Sequence, residues 1–131
     1  MEIWIIVGLV VFCLITLTAM NKPQRDARRS FETSDAHLGR GEIAFQCGNL
    51  DEARSHFMRA RTSASTGRTP IFKAEAAYGL ARVAERSGDL AAARDYLKEA
   101  LSFEAEFAPY HPNYASLLRS HLAQVEAKLK P

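Results

Sequence analysis

Apolar residues are distributed along this chain in two distinct ways. From Ile3 to Met20 they form a run with no charged side chain. Beyond Thr33 they are interspersed with Ala, Glu and Arg, with no sustained alternation of the kind a half-buried strand needs. The second region reads as helix throughout, and its punctuation places the elements near Thr33–Cys47, Leu50–Thr62, Pro70–Ser87, Leu90–Glu106 and Pro112–Leu129. Gly48 and Gly88 suit left-handed C-terminal caps, and Asn49 and Asp89 can each accept from a free amide of the helix that follows. Pro70 and Pro112 suit the first helical position, where a missing amide costs nothing. The stretch from Thr62 to Thr69 is a loop by its Ser, Thr and Gly content.

The helical region matches itself at a spacing of 40 residues. Gly48-Asn49-Leu50-Asp51-Glu52-Ala53-Arg54 returns as Gly88-Asp89-Leu90-Ala91-Ala92-Ala93-Arg94, and Phe57 and Ala60 return as Leu97 and Ala100. Small residues recur at Gly41, Ala53 and Ala60, then at Ala81, Ala93 and Ala100. Such positions let antiparallel helices approach closely, with Phe57 and Leu97 filling the space between them. The last helix repeats the start of the second unit at a spacing of 42, Leu80-Ala81-Arg82-Val83 against Leu122-Ala123-Gln124-Val125. It has no partner helix after it and so reads as a cap. A period of this size marks a repeat architecture, in which one supersecondary unit stacks on a copy of itself.

These residues resemble the tetratricopeptide repeat family, over roughly Thr33 to Leu129. The marks are the Gly-Asn/Asp-Leu turn, the Ala53/Phe57/Ala60 and Ala93/Leu97/Ala100 series, and the Leu80-Ala81 pair with its echo at Leu122-Ala123. His37 and Arg40 stand where that motif prefers large apolar residues. The longer units, with His111-Pro112 and Ala115 opening the last helix, look like the kinesin-light-chain style of the repeat. The resemblance implies a concave surface, built from the first helix of each hairpin, that holds a peptide or helix of another protein. Carried over by alignment, that partner-binding face includes Asp35, Leu38, Glu42 and Phe45, then Glu75, Tyr78, Arg82 and Glu85, then Leu117, Ser120 and Gln124. Glu42 and Glu75 would oppose an acidic tail. The array is short, since stacking alone supplies a stable core at about three units. Either the closing helix suffices, or an open end packs against a partner or a second copy, a homo-oligomer being one form of this.

The N-terminal run adds a second expectation. Eighteen helical residues cover roughly 27 Å, close to the ~30 Å hydrocarbon core of a bilayer. No basic n-region precedes the run and Thr16-Leu17-Thr18-Ala19 is a poor cleavage site, which favours a retained anchor over a secretory signal. The fold expected is thus all-α: a single N-terminal transmembrane helix followed by a short superhelix of two hairpins and a capping helix. The domains are 1–21 as anchor, touching lipid through residues 3–20, 22–32 as basic juxtamembrane linker, and 33–131 as repeat domain. Lys22, Arg25, Arg28 and Arg29 would set topology and meet lipid headgroups, giving a single-pass protein with its N-terminus outside and its C-terminal domain on the cytoplasmic side. Trp4 would lie at the opposite membrane boundary.

Charge and motifs then narrow the function. The net charge is +2, but outside residues 1–29 the chain carries 13 Lys plus Arg against 13 Asp plus Glu. The surplus is confined to residues 22–29, so nucleic acid is not an expected partner. Two cysteines, Cys13 and Cys47, cannot form a disulfide framework. The histidines at 37, 56, 111 and 121 lack metal-site spacing, and there is no nucleophile elbow or phosphate loop. Gly39-Arg40-Gly41 reads instead as a place of close helix contact. No catalysis, cofactor or metal is expected. What is expected is a membrane-anchored adaptor acting by protein–protein interaction, or alternatively a small accessory or assembly subunit of an integral membrane complex.

Overall fold

Helices account for nearly all of the chain because its breaks are few and each one is chemically specified. The structure, a computed structural model, describes the backbone of residues 2–67 and 70–131 and the side chains of 3–16, 33–64 and 70–131. Six helices occur among the described residues: α1 (Glu2–Gln46), α2 (Leu50–Gly67), α3 (Pro70–Arg86), α4 (Leu90–Ser102), the single turn α5 (Glu104–Phe107) and α6 (Pro112–Leu129).

The two repeat turns are built alike. Gly48 and Gly88 adopt φ of 79° and 86°, the left-handed region where a side chain is strained. In each turn the glycine N–H donates to the carbonyl three residues back (Phe45, Glu85) at 3.0 Å. The next residue donates five back (Ala44, Ala84) at 2.9 Å. This paired closure satisfies carbonyls that the ending helix leaves free. Asp89 then caps α4, its Oδ1 accepting from Ala92 N at 3.1 Å. Asn49 behaves differently from expectation. Its side-chain amide donates to Glu52 Oε2 at 2.7 Å, a partner that Ala92 cannot supply in the second copy.

α1 pairs with α2 and α3 with α4, and α6 closes the array against α4. Two apolar clusters result. The first gathers Leu38 and Ala44 of α1, Ala53, Phe57, Ala60 and Ala64 of α2, and Phe72, Ala76, Leu80 and Val83 of α3. The second gathers Ala74, Ala77, Ala81 and Ala84 of α3, Ala93, Leu97 and Ala100 of α4, Phe107 of α5, and Ala115, Leu118 and Val125 of α6. α3 contributes to both. The small residues read from the repeat are all buried, and the closest approach is at glycine. A Cβ on Gly41 would lie 2.7 Å from the Phe57 ring, and one on Gly79 would lie 2.5 Å from it. Phe57 is thus clamped between α1 and α3.

The membrane expectation is overturned. Among the described residues no helix is long and apolar enough to cross a membrane. With the span goes the membrane-anchored form of the fold, the single-pass N-out topology and the premise of the membrane-complex alternative. The backbone of α1 continues unbroken from Glu2 to Gln46, through residues 22–32. The side chains of Lys22, Arg25, Arg28 and Arg29, expected to meet lipid headgroups, lie outside the described residues, as do the side chains of residues 17–20 of the apolar run. Side chains from Ile3 to Ile15 are exposed, Trp4 to 79 %, and among the described side chains of α1 burial begins at Ser34.

Candidate functional site

The inner helices α1 and α3 lie side by side, and α6 follows them on the same side of the array. Between them is a groove of 340 Å³ lined by Leu38, Gly39 and Glu42 of α1, Glu75, Tyr78 and Arg82 of α3, and Tyr114 of α6. Residues at steps of three and four on a helix share a face, which is why 38 with 42, and 75 with 78 and 82, arrive together.

Most of the charge in and beside this groove is internally paired. Arg82 ion-pairs with Glu42 across the α1–α3 boundary, one of its bonds being Nη1 to Oε2 at 3.2 Å. Its guanidinium also lies 4.9 Å from the ring centroids of both Phe45 and Tyr78, a cation–π arrangement. Arg86 covers the same Phe45 ring at 4.4 Å. Further along α3, Glu85 accepts from His121 Nε2 at 2.6 Å and from Lys128 at 3.1 Å. Burial alone would raise the Glu85 carboxyl, but these hydrogen bonds outweigh it and hold it below the usual range. His121 Nδ1 meets the Tyr78 hydroxyl at 3.1 Å.

Three groups in the groove lack a partner among the described residues: the Glu75 carboxylate, the Tyr114 hydroxyl and Arg82 Nε, which is buried without a hydrogen-bond partner. Glu75 has no hydrogen-bond or ion-pair partner among the described residues, and its carboxyl is raised. Burial is the main cause, opposed by His111 and reinforced by the charges of Asp35 and Glu42. The Tyr114 hydroxyl oxygen is buried without a hydrogen-bond partner, and burial followed by the Glu75 charge raises that phenol as well. Tyr114 packs edge-on against Tyr78, with centroids 6.1 Å apart and planes at 87°.

The residues of the sequence-expected face that belong to α1 and α3 lie in or beside this groove. Leu38, Glu42, Glu75, Tyr78 and Arg82 line the groove, Phe45 and Glu85 engage its paired charges, and Asp35 is exposed beside it. Leu117, Ser120 and Gln124 are exposed on α6 and do not line it; Tyr114 and His121 take that side. Ala123 of α6, the counterpart of buried Ala81, is exposed. Tyr114 and His121 are seven apart and flank the buried Leu118, a spacing that was available in the sequence.

The family model for the tetratricopeptide repeat matches residues 32–103 of this chain, covering both hairpins and their glycine turns. The chain belongs to the tetratricopeptide repeat family. This family is generally a non-catalytic protein-interaction module, and α1 and α3 are the inner helices of its two units here. No curated protein and no solved structure matches the chain. Among the described residues no group of three or more His, Cys, Asp or Glu could hold a metal ion.

A second cluster, missed from sequence, lies where the repeat pattern departs from apolar. His37 Nδ1 and His56 Nδ1 are 3.3 Å apart across the α1–α2 boundary, with Glu52 3.8 Å from His56 Nε2. Burial, then the charges of His56, Arg59 and Arg40, lowers the His37 pKa below 6.5. The folded state therefore binds the His37 proton less well than the unfolded chain does. Its contribution to stability is full above pH ~6.5 and falls as pH drops from there toward the lowered folded value. Thermal melts of wild type and His37→Gln at pH 7.5 and 5.5 should show a smaller acid-induced fall in Tm for the variant. Equal falls would remove this role.

Proposed function

We propose that the protein is an adaptor that holds a segment of a partner protein along the groove between α1, α3 and α6. The observation that carries this reading is the groove itself: successive inner helices present apolar walls and uncompensated polar atoms on one concave strip. Apolar area from Leu38, Tyr78 and Tyr114 would supply affinity, and the fixed polar groups would supply register. Unit spacings of 40 and 42, and the His111-Pro112 opening of α6, support placing the repeat near the kinesin-light-chain style.

Photo-crosslinking tests the reading directly. A benzophenone side chain at Leu117, which is 46 % exposed on α6 beside the groove, is expected to capture the same partner as one at Glu42. One at Ala91, exposed on the outer helix α4, should not capture it. Capture from Ala91 alone would move the binding face to the outer surface and end the groove assignment.

A further inference from the structure

We infer that the groove takes the cationic side chain of a lysine or arginine carried by the partner segment, with Glu75 as its counter-ion and the rings of Tyr78 and Tyr114 as its walls. This rests on the groove being the partner-binding face.

The argument is one of charge left over. Glu42 is neutralised by Arg82, and Glu85 by His121 and Lys128. Glu75 alone of the groove carboxylates has no hydrogen-bond or ion-pair partner among the described residues; His111 opposes its charge at longer range and Asp35 adds to it. A half-buried carboxylate without a partner is costly to the fold, and an incoming cation relieves that cost. Arg82 does not fill this role, because its guanidinium is held against Glu42 and stacked between Phe45 and Tyr78.

The Tyr114 oxygen fits the same guest, whereas Arg82 Nε, a buried donor without a hydrogen-bond partner, takes no part in holding it. An ammonium or guanidinium carries more N–H groups than one carboxylate can accept, and the orphaned Tyr114 oxygen offers a further lone pair. Tyr78 and Tyr114 stand nearly perpendicular, so one ring can present its negative face to the cation while both cover an aliphatic stem. The 340 Å³ of space is ample for one such side chain. An acidic guest would face Glu75 and Asp35, and an apolar guest would seal Glu75 in without a partner. Both are disfavoured for the same reason.

The test uses four small probes on the full chain, kept in solution with a maltoside detergent because Ile3 to Ile15 are exposed. They are the N-acetyl, N-methylamide derivatives of arginine, lysine, norleucine and glutamate, titrated into isotopically labelled protein by NMR at millimolar concentration. The arginine and lysine probes should give saturable shifts at amides around Leu38, Glu42, Tyr78 and Tyr114. Glu75→Gln should weaken them at least tenfold, and Asp95→Asn, at an exposed site on α4, should leave them unchanged. Glu75→Gln should also melt no lower than wild type at pH 7, since a raised carboxyl pKa means that the ionised form costs the folded state stability. Equal shifts from the norleucine probe, stronger ones from the glutamate probe, no shifts from any probe, or no loss in Glu75→Gln would each overturn the cation assignment. In all four cases crosslinking from Leu117 would still report on the groove. Only loss of that crosslink as well would bring down the adaptor reading with it.

Discussion

Phe57→Ala is expected to lower stability by about 3–5 kcal/mol, the range for emptying an aromatic site in a packed core. Phe57 is 1 % exposed and joins α1, α2 and α3. The sharper form of this prediction concerns its clamp. Gly79→Ala alone should cost about 1–3 kcal/mol, because the new methyl would lie 2.5–2.7 Å from three ring carbons. The ring cannot retreat, since a Cβ at Gly41 would already meet it at 2.7 Å from the other helix. In a Phe57→Ala background the sign should reverse. The same Gly79→Ala change should then stabilise by about 0.5–1 kcal/mol, the ordinary gain of alanine over glycine inside a helix. Urea unfolding of the four proteins measures this cycle. Equal costs in both backgrounds would mean that the ring is not what excludes a side chain at position 79.

Leu118→Ala should cost about 2–5 kcal/mol although it lies on the terminal helix. Leu118 is fully buried and, with Ala115 and Val125, forms the strip of α6 that covers Leu97, Ala100 and Phe107. Removing it loosens the lid over the second cluster, and that loss propagates to α4, which has no other partner on that side. Leu117→Ala, one residue away and 46 % exposed, should change stability by less than about 0.5 kcal/mol. Comparable urea midpoints for the two variants would show that α6 is not held by this strip.

The repeat made much of the core legible. Buried positions at Gly41, Ala53, Phe57 and Ala60, and at Ala81, Ala93, Leu97 and Ala100, follow from a 40-residue self-match, because equivalent positions in stacked hairpins meet equivalent neighbours. The glycine turns were equally readable, since a positive φ admits few residues. Helix ends without such a marker were not. α2 runs on through the Ser- and Thr-rich stretch to Gly67, and the α4 region breaks at Phe103 into the separate turn α5. Composition is a weak terminator when Arg61 bridges α2 to Glu99 of α4 and Ala64 is buried in the first cluster. The apolar N-terminus misled for a related reason: a window of hydropathy carries no statement of where a helix stops, and α1 runs on into the first repeat. In the groove, the residues that alignment carried onto α1 and α3 lie in or beside the strip described above, while those carried onto α6 are exposed outside its lining. Pairings such as Arg82 with Glu42 were beyond reach, because side chains 40 residues apart can be near without choosing each other.

α3 belongs to both clusters at once, with Phe72, Ala76, Leu80 and Val83 turned to one and Ala74, Ala77, Ala81 and Ala84 to the other. A change at any of these positions must suit two sets of neighbours, which leaves little room for drift. Neither cluster claims Glu75 or Arg82, and both line the groove. Divergence after gene duplication would therefore be channelled to these two positions, so that copies of this domain could acquire new partners while their architecture stayed unchanged.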